Sequence, residues 1–330
     1  MNLKKISPLA WILFLSILTL LGAFLSIGIG AVFIDPAVIL HYFTGGNVEN
    51  SGFIIGNFRL PRIVMCLLVG TGLGISGAIL QGVVRNPLAS PDVIGITKGA
   101  GLSAAAVIIL FPELPVIGLP IAAFFGAGLV TVGLYLFAFR KGVQPATLAL
   151  VGIALGAICQ AGIQFLTIKF PIETNAALVW LTGSVWGKDW GDVWLLAPWI
   201  LIVTPITFAL APKLDVLSLG DDVAEGLGEP VQKARLLLLI IAVLLAGSSV
   251  AIVGTLGFVG LIAPHIARQL VGNRHAYLLP ASALVGILLL LLADDLGRGL
   301  FPPTEVPAGI FTAIIGAPYF LFLLRKLQKS

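Results

Sequence analysis

The chain has 330 residues, 58% of them apolar and only 10% charged, against about 25% charged in ordinary soluble domains. With a mean hydropathy of +1.09 and apolar runs of roughly 18 residues or more, this excludes a soluble core and predicts an all-α, polytopic membrane protein, while the missing period-2 alternation excludes a transmembrane barrel. The net charge of +4 comes from 19 Lys and Arg against 15 Asp and Glu, with no patch suited to nucleic acid.

Lys4 and Lys5 precede an apolar stretch from Pro8 to Phe33. The stretch is too long for a removed leader and lacks a small-residue cleavage site, so it predicts a retained first helix. Because about 20 apolar residues cross the hydrocarbon, spans are expected at 9–33, 61–83, 93–111, 118–139, 146–168, 192–211, 235–255, 256–270, 276–297 and 306–325, the eighth being too short to cross alone. No soluble domain fits between them, so residues 1–330 read as one transmembrane domain. Cys66 and Cys159 fall inside separate apolar runs and support neither a disulfide framework nor a thiolate metal site.

Ten helices put both termini on one side. With that side cytoplasmic, Lys4, Lys5, Arg85, Arg140, Lys141, Lys213, Lys233, Arg235, Arg268, Arg274, Arg325, Lys326 and Lys329 lie inside, and Arg59, Arg62, Lys169, Lys188 and Arg298 lie outside. The excess follows the positive-inside rule, with Lys98 left unassigned. Trp180, Trp186, Trp190, Trp194 and Trp199 gather around one outer loop, as indoles do at a membrane interface.

Several patterns could carry chemistry. Gly152, Gly156, Gln160 and Gln164 recur every four residues on the fifth helix, which makes either the wall of a polar passage or a close helix contact. Gly70, Gly74, Gly77 and Gln81 pose the same choice on the second helix. Between Gln81 and Asp92, Pro87 and Pro91 forbid a continuous helix; Asn86 and Pro87 then sit in a cavity lining or a plain cytoplasmic turn. Pro264 is expected to interrupt the eighth helix in the same way, which points to an internal duplication of helices 2–5 and 7–10.

The ninth helix ends with Asp294, Asp295 and Arg298, where either acid can pair with the arginine. Arg59, Arg62 and Arg298 stand outside against the charge rule, so an acidic surface on an external partner would suit them. Residues 212–233 form the longest inner loop. Within it Ser218 or Gly220 can cap a short helix that opens with Asp221 and Asp222, includes Glu225, and ends at Gly226 or Gly228. Leu219, Val223 and Leu227 would lie on one side of that helix as a ridge for a partner groove. There is no nucleotide-binding Gly-x-x-x-x-Gly-Lys-Ser/Thr motif, and His41, His265 and His275 have no metal spacing. Driving energy must therefore come from elsewhere.

Taken together, Arg59-Leu-Pro-Arg62, Ser76-Gly-Ala-Ile-Leu-Gln81, Arg85-Asn-Pro-Leu-Ala-Ser-Pro91, Gly257-Phe-Val-Gly-Leu-Ile-Ala-Pro-His-Ile-Ala-Arg268, Leu278-Leu-Pro-Ala-Ser-Ala283, Ala293-Asp294 and Glu305-Val-Pro-Ala-Gly-Ile310 resemble the permease family that imports iron-siderophore complexes, vitamin B12 and haem, within the ATP-binding cassette importers. The resemblance covers nearly the whole chain.

It implies a type II importer permease fold in a bacterial cell membrane and a second permease subunit, identical or paralogous. It also implies two cytoplasmic ATPases that bind ATP and Mg, and a substrate-binding protein outside. This chain itself would hold no cofactor, metal or catalytic residue. The resemblance places binding-protein docking at Arg59, Arg62 and Arg298, and ATPase coupling at Ser218, Leu219, Gly220, Asp221, Asp222, Glu225, Gly226 and Gly228. The translocation path is expected along Gln81, Asn86, Pro87, Gln160 and Gln164. Cargo is expected to be an iron-siderophore chelate, with vitamin B12 or haem as alternatives. Two rivals from other classes are an ion-coupled secondary transporter, which also uses broken helices, and an intramembrane serine protease built on Ser76 and His265.

Overall fold

The computed structural model describes residues 6–46, 48–138 and 145–327. Lys4, Lys5, Arg140, Lys141 and Lys329 of the inner set lie outside the described residues, and so does the expected C-terminal end of the fourth span at 139. In chain order the helices are α1 Pro8–Gly28, α2 Pro36–Phe43, α3 Glu49–Ile54, α4 Leu60–Val84, α5 Ile96–Leu110, α6 Gly118–Ala138, α7 Pro145–Lys169, α8 Thr174–Thr182, α9 Trp190–Ala209, α10 Ala211–Ser218, α11 Asp221–Gly226, α12 Val231–Val253, α13 Val259–Val271, α14 His275–Gly299 and α15 Ala308–Leu327. A π-helical turn, Ile55–Arg59, joins α3 to α4. No strand occurs among the described residues.

The ten expected spans correspond to α1, α4, α5, α6, α7, α9, α12, α13, α14 and α15. Seven helices, Pro8–Gly28, Ser51–Val84, Gly118–Ala138, Ala146–Lys169, Trp190–Ala209, Val231–Val253 and His275–Gly299, are long and apolar enough to cross a membrane. Ile96–Leu110 and Ala308–Leu323 are apolar but shorter, and α13 has only 13 residues.

The first span ends early, at Gly28, because Gly30 has φ +152° and Asp35 starts α2 by accepting from the Ala37 N–H. The second span starts earlier than its apolar run. The π-turn carries the helix back to Ser51 through Gly52, Gly56 and Asn57, residues whose composition reads as loop.

Burial sorts the helices into a centre and a rim. In their apolar windows α4 is 83% and α12 78% buried, against 22% for α1 and 28% for α7. α4 packs on α14, α12 and α13, and α5 packs on α6 and α7. Rim helices turn Leu20, Leu129, Phe165 and Leu201 outward, which suits contact with lipid or another subunit.

The glycine stripe on α4 is a packing device. A Cβ on Gly70 would stand 2.5 Å from the Ile287 backbone and one on Gly74 2.3 Å from the Ser282 carbonyl. Pro264 does not interrupt α13, contrary to expectation: the helix runs through it, and the break comes before it, at Gly254 (φ +80°) and Phe258 (φ +66°). Proline removes the N–H that would bond the Gly260 carbonyl four residues earlier. That oxygen lies instead against Gly77, where a Cβ would approach it to 1.8 Å, a geometry suited to a weak Cα–H···O contact. A neighbouring helix thus covers the freed carbonyl.

Gly77→Ala must therefore push α4 and α13 apart. Its expected cost is about 3 kcal/mol, at the upper end for overpacking, read as a lower thermal midpoint of the purified protein. Gly128→Ala, with nothing within 4 Å of the new Cβ, should hold or slightly raise the midpoint, since alanine is the better residue in a helix interior.

Candidate functional site

Three groups of polar residues stand out in this apolar bundle: one at each end and one in a cavity between them. The first joins α4, α14, the end of α1 and the segment before α15. Arg62 meets Asp294 through Nε (2.9 Å to Oδ2) and Nη2 (2.7 Å to Oδ1), and its Nη1 reaches Glu305 at 2.6 Å. Arg298 meets Asp295 at 2.5 Å and Asp294 at 3.5 Å, and donates to the Ser26 carbonyl at 2.6 Å. Both acids therefore pair with Arg298. Arg59 donates to the carbonyls of Ile29 and Val32 and forms no ion pair among the described residues.

The structure brings the three expected docking arginines to one end of the molecule, but as buried groups. Arg59 and Arg62 are 8% exposed and Arg298 is 1% exposed. Arg62 and Arg298 are engaged by the chain's own acids, and Arg59, Arg62 and Glu305 border a cavity of ≈ 550 Å³ with Asn57, Trp186, Lys188 and Asp189. Ser26, Glu305 and the Arg62–Asp294 pair were not anticipated from the sequence. The available signal was that charges within apolar helices require partners.

At the opposite end, α10 and α11 occupy the 212–233 loop. Asp221 is shared by Arg85, at the left-handed C-cap of α4, and by Arg235 of α12 at 2.8 Å. Lys213 pairs with Glu229. The Asp215 carboxylate accepts the His275 backbone N–H at 2.8 Å and lies 2.6 Å from its Nδ1. Gly220, at φ +114°, precedes α11. Ser218 does not cap it, because Ser218 closes α10 and donates to the Asp215 carbonyl at 2.6 Å. Gly228, at φ +84°, ends the segment: its N–H reaches the Glu225 carbonyl at 2.9 Å and the Glu229 N–H reaches Ala224 at 3.0 Å. Leu219, Val223 and Leu227 are 60%, 49% and 65% exposed, so all three expected ridge residues are uncovered among the described residues, although only Val223 lies within α11 itself. Asp222 and Glu225 are also exposed.

The third group divides the α7 stripe. Gly152 and Gly156 pack against the segment from Ile94 to Lys98, whereas Gln160 and Gln164 line a cavity of ≈ 410 Å³ together with Asp92, Thr97, Lys98 and Thr255. Gln81 does not join them: it is buried and donates to the Leu261 carbonyl at 3.2 Å. Asn86 forms a turn whose side chain accepts the Leu88 N–H at 2.9 Å, and Pro87 lies in that same turn. Among the described residues no group of three His, Cys, Asp or Glu could hold a metal. Ser76 donates to the Ala242 carbonyl at 2.7 Å, and His265 meets Tyr319 at 2.7 Å.

The FecCD transport family matches residues 18–326. The chain is 56% identical to the Fe(3+)-citrate import system permease protein YfmE of Bacillus subtilis over 98% of this chain and 96% of that one. It is 41% identical to the iron(3+)-hydroxamate import system permease protein FhuG of the same organism, over 99% of each. A solved structure assigned to the metal-chelate type of ABC transporters, in an inward-facing conformation, superposes with a TM-score of 0.85 at 32% identity, covering 97% of this chain and 100% of that one.

Removing one member of a buried charge pair costs about 3–5 kcal/mol. Asp294→Asn is expected at the lower end of that range, since Arg62 keeps Glu305 and Arg298 keeps Asp295. Thermal melting checks this. The double variant with Arg62→Gln should cost less than the sum of the two single losses, the sign of direct coupling in a double-mutant cycle.

Proposed function

The chain belongs to the FecCD transport family and is the membrane permease subunit of an ATP-binding cassette importer, and from that premise we propose that it carries ferric chelates of the citrate or siderophore class into the cytoplasm. The names of the relatives that import ferric citrate and ferric hydroxamate support this cargo class. In this reading both termini are cytoplasmic, a second permease completes the pathway, two ATPases attach inside, and a substrate-binding protein delivers cargo outside.

The observation that carries the proposal is α11. It is a short helix that carries exposed Val223 between exposed Leu219 and Leu227, and its first residue, Asp221, ties it to α4 through Arg85 and to α12 through Arg235. These are the two most buried spans. A push on Leu219 and Val223 by an ATPase would reach the centre of the bundle through that tie rather than dissipate in a loop. Alternating access then follows as a population shift between two packings.

At the other end, Arg59 is the arginine whose guanidinium has only carbonyl partners among the described residues. It would meet an acid of the binding protein, while Arg62 and Arg298, already answered by Asp294, Asp295 and Glu305, hold the shape of the docking end. Gln160 and Gln164 line the passage, and Gln81, Asn86 and Pro87 shape the packing beside it. The lengths of the helices fit a duplication, since a long buried helix, a break and a short helix recur as α4 and α5 and as α12 and α13.

Leu219→Asp with Val223→Asp should abolish co-purification of the ATPases and ATP-driven uptake while leaving the thermal midpoint of the permease unchanged. Retained co-purification would remove α11 as the docking element. Arg59→Gln leaves no acid unpaired, and it is expected to weaken binding of the loaded substrate-binding protein about tenfold, measured by surface plasmon resonance on the reconstituted complex.

A further inference from the structure

We infer that Lys98 makes the cavity between α5 and α7 a recognition point for negatively charged, oxygen-rich cargo. The inference rests on the transport reading above and narrows it to a class of chelate.

Lys98 sits in the third expected span, where a cation is costly unless something answers it. Its side chain lies along α7 over Gly156: a Cβ there would stand 3.2 Å from Lys98 Cδ and 3.9 Å from Nζ. A Cβ at 156 would crowd the Lys98 methylene, so the glycine leaves room for the side chain to lie along α7. Among the described residues Lys98 forms no ion pair. Asp92, the one carboxylate of the lining, accepts the Thr97 hydroxyl at 2.9 Å.

The threonines of the wall have likewise placed their protons within the chain. Thr167 donates to the Gln164 carbonyl at 2.9 Å, Thr182 to Val179 at 2.6 Å and Thr255 to Leu181 at 2.5 Å. The donors left facing the cavity are the Lys98 ammonium and the side-chain amides of Gln160 and Gln164, neither of which has a side-chain hydrogen bond among the described residues. A cavity of ≈ 410 Å³ is of small-molecule size. A cavity wall that carries a cation and two amide donors, with Asp92 already accepting from Thr97, is complementary to carboxylate or phenolate oxygens, which accept charge-assisted hydrogen bonds. A neutral chelate gains much less from the ammonium.

The test uses the permease reconstituted with its ATPases and binding protein, with two readouts. In the first, a Gln164→Cys probe in a Cys66→Ala, Cys159→Ala background reacts with an anionic and a cationic methanethiosulfonate. Lys98→Met should lower the anionic-to-cationic rate ratio at least about threefold through loss of one nearby charge. In the second, uptake of ferric citrate should fall at least about tenfold with Lys98→Met, the loss expected when a charge-assisted contact is removed, and Lys98→Arg should restore it. Binding-protein stimulation of ATP hydrolysis should persist in both variants. An unchanged reagent ratio, or wild-type uptake of ferric citrate by Lys98→Met, overturns the inference. If instead the unsubstituted complex fails to accumulate ferric citrate while the reagent ratio still responds to Lys98, the transport reading fails and the charge assignment stands.

Discussion

A carboxylate buried among apolar helices costs several kcal/mol unless cations meet it, and Asp294 is met by two. It is 1% exposed and faces Arg62 from α4 and Arg298 one turn further along α14. The pairing fixes the rotational setting of α14 against α4, because a rotation that removed Asp294 from Arg62 would strand two charges in a low-dielectric interior. The glycines Gly70 and Gly74 bring the same two helices to backbone contact, so small residues set the distance and the ion network sets the register. Ser26 and Glu305 draw α1 and the segment before α15 into the same junction.

Much of this was legible in the sequence, because crossing a membrane writes length and hydropathy directly into the chain. Each of the ten spans expected from apolar runs has a counterpart, the short eighth one included. The helices that were not legible, α2, α8 and α10, have eight or nine residues each. In segments so short, apolar content does not separate helix from loop. The start of the second span was obscured because Gly52, Gly56 and Asn57 look like loop, whereas a π-turn takes them into the helix.

Pro264 misled for a related reason. In water its freed carbonyl partner ends a helix, but in a bundle Gly77 of another helix covers it. The α7 stripe was ambiguous in principle, since a four-residue repeat of small and amide residues serves packing and cavity lining alike. Both occur, with glycines packing and glutamines lining. The docking arginines were the most deceptive. A sequence shows charges outside but not which of them are already answered, and the pairing of Arg62 with an acid 232 positions away leaves no local pattern.

The two charged ends share a construction that suits a machine driven from one side and loaded from the other. Each joins α4 to a distant helix through an arginine and an aspartate: Arg62 with Asp294 at one end and, at the other, Asp221 held by Arg85 and Arg235. α4 thereby acts as a strut between the junction that would feel the binding protein and the helix that would feel the ATPase. The polar cavity lies between α5 and α7, and α7 has far more exposed surface than the strut.

The central claim is that this chain is a passage without a motor. The most direct measurement places the purified chain in liposomes, first alone under an imposed proton gradient and then with ATPases, binding protein and ATP, and follows accumulation of radioactive ferric citrate. Accumulation only in the full assembly is the result this account predicts; uphill accumulation by the lone chain would contradict it.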